Sequence, residues 1–260
     1  MKLWILFILA YLIPITGCSE GEVTLDDRDY LQYFSEPHEQ AVIAAILAED
    51  SGKLKSLAAS GVDLNATGKF ENTPLRVAIK VAKPDMLETL LTLGANPNFR
   101  TSKGVVAAKS AAEDEDPIYI NILLESGLDP NLLHDKRPIL FYALENERWE
   151  QFDALIKAGA EVLTTKTSNN TTIAIMLASM FQYDRLMAHI QAGGDYKTGS
   201  KAGVSVLDIL ADDQKKFGGD PEQDAYQKRG ALLHLLRAKG QELPDGIPGV
   251  DYPNQQIDTH

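Results

Sequence analysis

Histidine, serine and acidic side chains could perform catalysis or hold a metal, but their spacing in this 260-residue chain favours neither. No two histidines stand three to five residues apart, so no helix presents a pair of metal ligands. No serine lies in a Gly-x-Ser-x-Gly elbow, and there is no phosphate-binding glycine loop or EF-hand loop. We therefore expect no enzyme, cofactor or metal site. The histidines are His38, His134, His189, His234 and His260.

The remaining reactive side chain is the only cysteine, Cys18, which cannot form an internal disulfide. Lys2 precedes an apolar run from Leu3 to Ile15, and the small residues Thr16 and Gly17 follow it. This run is shorter than the roughly 20 residues that span a bilayer as a helix. The pattern predicts a secretory signal over residues 1–17 that is removed after export.

The segment Ile15-Thr16-Gly17-Cys18 resembles the lipobox of bacterial lipoproteins. The resemblance implies cleavage before Cys18, acylation of that cysteine and a periplasmic protein held at a membrane. Ser19 in the next position favours the outer membrane over the inner one. An ordinary signal peptide whose cysteine merely stands at the cleavage point is the alternative.

The net charge of the chain restricts its partners. It holds 25 Lys and Arg against 37 Asp and Glu, a net charge of −12. Because such a field repels phosphate backbones, we expect no nucleic acid partner. Charge alone would not dock the chain on anionic lipid either.

A glycine-centred pattern repeats along the chain at an average period of about 33 residues. Each copy holds Gly, a small or apolar residue, an acidic or amide residue, any residue and often Asn. The five copies begin at Gly61, Gly94, Gly127, Gly159 and Gly193, and a further glycine, Gly240, follows after a longer interval.

Apolar pairs three residues apart precede these glycines and indicate one buried face of a helix. A small residue stands sixteen positions before each of the first four glycines, where a second helix could approach closely. The fifth copy is out of phase, since its helices fit Gly194 and its loop fits Gly193. The apolar pairs are Leu54/Leu57, Leu87/Leu90, Ile120/Leu123, Phe152/Leu155 and Leu233/Leu236, and the small residues are Ala45, Ala78, Ala111 and Ala143.

The segment Thr73-Pro74-Leu75-Arg76-Val77-Ala78, ending in Gly94-Ala95-Asn96-Pro97-Asn98, resembles the ankyrin consensus. The resemblance covers residues 38–242 and implies an all-α solenoid of about six helix-turn-helix units with short β-like turn tips. The consensus histidine is replaced, so its hydrogen bond to the turn backbone should be absent. The replacements are Arg76, Lys109, Phe141 and Ile175. A non-repetitive helical bundle is the alternative.

Three segments fall outside the repeat pattern. Residues 18–37 begin as an acidic, polar stretch and are expected to form a tether from the lipid. Residues 212–226 contain Gly-Gly and Asp-Pro and are expected to form a loop inserted in the last unit. Residues 243–260 hold three prolines and are expected to form an extended tail.

The turn tips between units are candidates for binding, because repeat arrays recognise partners through such exposed edges. They are locally basic on an acidic protein, and aromatic residues beside them could anchor an interface. The basic residues could equally serve solubility alone. The candidate partner-binding residues are Phe70, Phe99, Arg100, Lys103, His134, Lys136, Arg137 and Lys166.

The repeat architecture of the chain and its expected periplasmic location together resemble those of ankyrin-repeat lipoproteins that serve as immunity proteins against type VI-secreted phospholipases. That resemblance implies one protein partner, a secreted lipase, bound by a chain that is monomeric when free. The alternative is a periplasmic scaffold or adaptor supporting an envelope enzyme or the cell-wall machinery.

Overall fold

The computed structural model describes residues 27–163, 165–217 and 224–243, and they form a stack of six helical pairs. The predicted signal, Cys18, the first part of the tether (residues 18–26), residues 218–223 of the predicted inserted loop and the tail from residue 244 lie outside the described residues. The first helices are α1 Pro37–Leu47, α3 Pro74–Lys80, α5 Ala107–Glu113, α7 Ile139–Glu145, α9 Ile173–Ser179 and α11 Val206–Phe217. The second helices are α2 Ser51–Ala59, α4 Pro84–Thr92, α6 Ile118–Glu125, α8 Trp149–Lys157, α10 Tyr183–Gln191 and α12 Asp224–Ala238.

Each pair is a short helical hairpin that buries little apolar surface alone and relies on its neighbours. Nine of the ten predicted apolar pair residues are buried, and Leu57 is half-buried against the same core. The four predicted alanines are buried where the first helices meet. One continuous core therefore extends from Tyr30 to Leu236, which confirms the predicted all-α solenoid of six units.

Local sequence signals set where each hairpin begins and ends. Thr73 accepts a hydrogen bond from the Arg76 amide at 3.3 Å, and Pro74 occupies the first turn of α3. Proline fits there because the first helical amides have no partner within the helix. After α4 the chain reverses at Gly94, whose φ of 100° is costly for any residue with a Cβ.

Short hairpins project between the units as the predicted turn tips. The best formed joins β1 Leu133–His134 to β2 Arg137–Pro138. Isolated antiparallel bridges close the tips of units three and five, between Arg100 and Val106 and between Lys166 and Thr172.

An asparagine ladder links successive units below the glycine turns. The side-chain Oδ1 of Asn65 accepts a hydrogen bond from the backbone N–H of Asn96 at 2.8 Å. Oδ1 of Asn98 accepts one from the backbone N–H of Asp129 at 2.7 Å. Asn98 also donates through Nδ2 to the Gly127 carbonyl at 2.8 Å. The same side chain thus ties each unit to the next, and this explains the asparagine in the repeating pattern.

The junction between units four and five departs from this pattern twice. Leu163 stands where the ladder would place asparagine, and its main-chain carbonyl accepts the Asp195 amide at 2.7 Å instead. Leu177 occupies the helical position that holds alanine in the first four units, and α7 and α9 lie in looser contact than α5 and α7. At this junction a main-chain hydrogen bond takes the place of the asparagine side chain, and a leucine takes the place of alanine between the first helices.

An arginine clamp spans this junction on the second helices. The Arg185 guanidinium of α10 forms two hydrogen bonds with the Asp153 carboxylate of α8, at 2.6 and 3.0 Å. The same group lies 4.7 Å from the ring centroid of Trp149, which is half-buried as expected for packing at a helix start. Bidentate pairing and stacking together suit arginine rather than lysine.

The two adjacent glycines of the fifth unit explain why its helices and its loop matched different positions of the repeat. Gly193 carries the left-handed φ of 91° and is the true turn residue. Gly194 packs against the buried imidazole of His189, and a Cβ there would overlap with the ring. The second glycine of the pair therefore makes room for His189.

The last unit differs from the predicted inserted loop. Residues 212–217 complete α11, and residues 224–226 belong to α12, so much of the 212–226 segment is helical. Arg229, buried on α12, donates to the Leu210 carbonyl at 2.8 Å and holds the two helices together. Lengthened helices thus take up much of the extra sequence.

The end of the predicted tether is also part of the fold. A 3-10 helix at Asp27–Tyr33 precedes α1, and Tyr30 and Phe34 are buried in the core. Aromatic burial outweighs the polar composition that had suggested an extended stretch. Among the described helices none has the length and apolarity needed to cross a bilayer.

We predict that Asn98→Ala lowers the free energy of unfolding by about 1–2 kcal/mol, because it removes one donated and one accepted hydrogen bond between units. Denaturant unfolding would measure the change. Asn121→Ala, at an exposed position of α6, is the matched control and should be neutral or slightly stabilising. Equal losses in both variants would contradict the ladder's role.

We predict that Gly194→Ala destabilises the array by about 1–3 kcal/mol, the usual cost of an overpacked site. The double variant with His189→Ala should lose less than the sum of the two single variants, because the ring that obstructs the new methyl is gone. Thermal and denaturant unfolding of the four proteins would measure the coupling. Strict additivity would show that His189 is not the obstacle.

Candidate protein-binding site

The tips of units two to four form an open cleft of about 320 Å³ together with the first helices beside them. The tips contribute its outer wall, while α3 and α5 contribute its floor. The cleft is lined by Phe70, Glu71, Arg76, Lys103, Val105, Lys109 and His134.

Phe70 is the exposed anchor of this cleft. Its side chain is 67% exposed, and the backbone at Phe70 and Glu71 has φ values of 57° and 58°. Two consecutive non-glycine residues in this region cost conformational energy and are a known mark of functional sites. The ring meets Tyr33 edge-on, with centroids 5.2 Å apart.

Arg76 stabilises the strained turn from below. Its Nη1 donates to the Phe70 carbonyl at 2.9 Å and to the Glu71 carbonyl at 3.4 Å. The sequence predicted no such bond once the consensus histidine was replaced, and at Arg76 that prediction is wrong. Arginine is longer than histidine and reaches the same turn backbone.

The electrostatics of the cleft favour anionic groups. Arg76, Lys103 and Lys109 bring three positive charges against the single carboxylate of Glu71. Hydrogen bonding by Thr101 lowers the pKa of Glu71, and the neighbouring Lys103 adds to this effect. Lys103 Nζ lies 3.5 Å from Glu71 Oε1, yet the lysine side chain stays 76% exposed.

His134 is a neutral, structural member of the cleft. Its Nδ1 accepts a hydrogen bond from the Val106 amide at 3.4 Å, which requires that nitrogen to carry no proton. Burial, together with the charges of Lys109 and Arg76, lowers its pKa from 6.5 to about 4. His134 therefore joins two tips and adds no charge at neutral pH.

A cluster of cations and aromatic rings supports the cleft from the fourth unit. The Arg137 guanidinium lies 4.9 Å from the ring centroid of Tyr142 and pairs with Glu145. Lys109 Nζ lies 5.1 Å from the centroid of the same Tyr142 ring and 2.6 Å from Glu113 Oε2. These contacts fix the α5–α7 surface beneath the tips.

The structure brings three of the eight predicted binding residues into one cleft. Phe70, Lys103 and His134 come from three successive tips and line the same space. Arg100 is exposed on the tip that carries Lys103, and its charge acts on His134.

The other four predicted residues lie apart from the cleft lining. Lys136 and Lys166 are exposed at the tips of units four and five. Phe99 was expected to be exposed but is half-buried, and Arg137 is half-buried because it turns back onto Phe141 and Tyr142. Sequence does not show whether a side chain beside a turn points outward or back onto its helix.

Arg76 and Lys109 were missed as site residues, although their signal was present. Both occupy the repeat position of the consensus histidine, and both are basic. That position faces the tip in each unit, so two cations there indicate a charged floor. The acidic turn Glu113–Asp116 is a solvated helix connection in which Asp114 and Asp116 accept backbone amides at 2.9 Å.

The cleft offers binding groups and no assembled reactive centre. Among the described residues there is no group of three or more histidine, cysteine or acidic side chains placed to hold a metal. An exposed aromatic ring flanked by cations is instead the composition of a protein interface.

Comparison with known proteins agrees with this geometry. Residues 70–102 match the family model for the ankyrin repeat. Among solved structures, the ankyrin repeat domain of Bcl-3 superposes with a TM-score of 0.60 at 19% identity, over 78% of this chain and 86% of that one. The ankyrin repeat protein EF0377 gives 0.60 at 17% identity, over 77% and 98%.

This is the ankyrin-repeat fold.

Curated ankyrin-repeat proteins also resemble the chain in sequence. "Ankyrin repeat, SAM and basic leucine zipper domain-containing protein 1" is 30% identical over 135 residues in Ornithorhynchus anatinus and 31% identical over 136 residues in Oryctolagus cuniculus. These alignments cover 50% and 46% of this chain but only 28% and 29% of the relatives. Ankyrin repeats indicate a protein–protein interaction module, and stacked repeats of this kind create a long concave surface.

We predict that His134 makes stability depend on pH between about 6.5 and 4. Its folded-state pKa is the lower one, so the unfolded chain binds more protons in this window and stability falls as the pH drops. His134→Asn supplies an acceptor without titrating, so its free energy of unfolding should vary less steeply there. Denaturant unfolding across that range would measure the slopes.

The imidazole titration of His134, followed by NMR, is the second measurement for this prediction. A midpoint near 4 agrees with the buried, neutral ring. A midpoint near 6.5, or identical slopes in both proteins, would contradict it.

Proposed function

We propose that this chain is a lipid-anchored periplasmic protein that binds and blocks a type VI-secreted phospholipase, acting as an immunity protein. The observation that carries the binding role is Phe70, an aromatic ring held 67% exposed over a basic cleft by a strained turn. The turn of unit four has the same left-handed pair at Asp135 and Lys136, so the support comes from the exposed ring itself, which lies beside three cations as an interface anchor does.

The sequence before the repeats supports the proposed location at a membrane in the periplasm. The apolar run ending in Ile15-Thr16-Gly17-Cys18 carries the expected acylation site. Several acyl chains on one cysteine would give stable anchoring, whereas a single chain binds only marginally. An inhibitor held at the membrane would meet a lipase that must come to the same surface, which raises its effective concentration.

The proposed mechanism is steric and needs no chemistry from the chain. A rigid array would cover either the substrate cleft of the lipase or the surface that faces the bilayer. Phe70 would enter a pocket of the partner while the surrounding cations fix the orientation.

We predict that Phe70→Ala weakens lipase binding by about 30-fold, as expected for an aromatic anchor worth about 2 kcal/mol. Ile156→Ala is the matched control, since Ile156 is 37% exposed on α8, on a second helix away from the cleft. Titration calorimetry with a purified type VI-secreted phospholipase from the same organism would measure both. Equal affinities of the two variants would exclude Phe70 as an anchor.

A survival experiment with cells that lack the protein tests the proposed immunity function as a whole. Cells lacking the protein should lyse when attacked by sibling cells that deliver the lipase, and the intact chain should restore survival. Full resistance without the protein would overturn the immunity function and favour the adaptor alternative. Cys18→Ser should release the chain from the membrane fraction, and a variant that stays membrane-bound would overturn the acyl anchor.

A further inference from the structure

Charge is separated across the array, with basic residues concentrated at the tips. The five tip segments 66–72, 99–105, 132–138, 165–171 and 197–204 hold eight Lys and Arg residues but only two acidic residues, in a chain of net charge −12. The acidic residues lie mainly on the second helices and on the turns beside them, for example at Asp85, Glu88, Asp114, Glu115, Glu150 and Asp153.

The structure shows which tip cations face solvent. Arg137 turns inward to Glu145 and Tyr142, and Lys109 on the cleft floor pairs with Glu113. Arg100, Lys103 and Lys136 are exposed on two neighbouring tips. Those three cations form an accessible basic rim beside the cleft.

The rim lies next to the exposed ring of Phe70. Lys103 lines the same cleft as Phe70, and Arg100 belongs to the same tip as Lys103. A ligand that satisfies this surface must combine carboxylates with an apolar side chain. An extended peptide segment does so, because successive side chains alternate and its length follows the row of tips.

The remaining surface selects against longer polyanions. A nucleic acid that reached beyond the tips would meet the acidic body, which repels phosphate. A short acidic segment on a protein would touch only the basic rim, and the opposing field of the body would orient it there.

We propose that the tips of units two to four bind an extended, acidic segment of the protein partner. Its carboxylates pair with Arg100, Lys103 and Lys136, and an apolar side chain packs on Phe70. This inference rests on the protein-binding role proposed above and adds the chemistry of the segment that is recognised.

Fluorescence anisotropy with a labelled octapeptide of alternating glutamate and leucine tests the inference on the full chain. We expect binding at low salt that weakens when NaCl rises from about 50 to about 300 mM. A lysine–leucine octapeptide should bind at least roughly tenfold more weakly. Equal binding of the two peptides would overturn the inference.

Matched charge reversals locate the site. Arg100→Glu/Lys103→Glu/Lys136→Glu should weaken binding of the acidic peptide at least about 30-fold. Lys53→Glu/Lys55→Glu/Lys157→Glu, at exposed positions of α2 and α8, changes the net charge by the same amount and should leave binding within about twofold. Circular dichroism would confirm that both proteins fold. Equal losses would show that net charge, and not the rim, controls binding.

Three competing occupants are tested with the same assay. An oligothymidylate of equal length, or vesicles of anionic phospholipid, competing as strongly as the acidic peptide would overturn the inference. A chain shortened after residue 243 lacks the acidic residues Asp245, Asp251 and Asp258. If shortening raised the peptide affinity about tenfold, the tail of the chain itself would be the occupant of the cleft, and this result would also overturn the inference.

Failure of this inference is separable from failure of the proposed function. Wild-type affinity of the rim variant for the lipase would overturn the acidic segment but leave the immunity function standing. Survival of cells without the protein would overturn the immunity function, whatever the peptide assay shows.

Discussion

The hydrogen bonds between successive units are the constraint on which the rest of this molecule depends. A hairpin of two short helices cannot bury its apolar face alone, so each unit must meet the next at a fixed spacing and angle. Core packing supplies the attraction, but apolar contacts are not directional. Asn65, Asn98 and Asn131 supply the direction, because each accepts a main-chain amide of the following unit at 2.7–2.8 Å.

A stack fixed in this way leaves the exposed tip residues outside the core, although His134 and Arg137 still make structural contacts. Because the core lies below the tips, their exposed residues can differ from unit to unit without loss of the fold. That freedom explains how an acidic protein carries a basic edge, and how the Lys69–Glu71 turn retains two left-handed residues. The binding surface is thus a by-product of a scaffold that already holds together elsewhere.

Much of this architecture could be predicted from the sequence, because repetition reinforces weak signals. A single apolar pair before a glycine says little, whereas four such pairs at one period indicate stacked hairpins. The prediction fails where a unit departs from its neighbours. Residues 212–226 were expected to form a loop because they contain Gly-Gly and Asp-Pro, but residues 212–217 and 224–226 are helical, while residues 218–223 lie outside the described residues. Phe99 was expected to be exposed, since the direction of its side chain depends on packing that only the fold reveals.

Some residues of the candidate binding site were predicted from the sequence, and others were not. Phe70, Lys103 and His134 were predicted only as candidate binding residues on separate tips, and the structure brings the three into one cleft. Arg76 was noted only as a missing histidine, and its reach to the Phe70 carbonyl depends on the strained turn above it. The low pKa of His134 likewise follows from burial between two tips, which no pattern of residue types records.

The seam at Leu163 and Leu177 has a consequence for how strain spreads through the array. In a one-dimensional stack, a disturbance passes from unit to unit only as far as the coupling between neighbours allows. At the seam between units four and five, the Leu163 carbonyl and the Arg185–Asp153 pair take the place of the asparagine contact, and α7 and α9 lie in looser contact, although the apolar core runs on through it. We therefore expect a disturbance that begins at the carboxyl end to weaken most at this seam, before it reaches the cleft at Phe70.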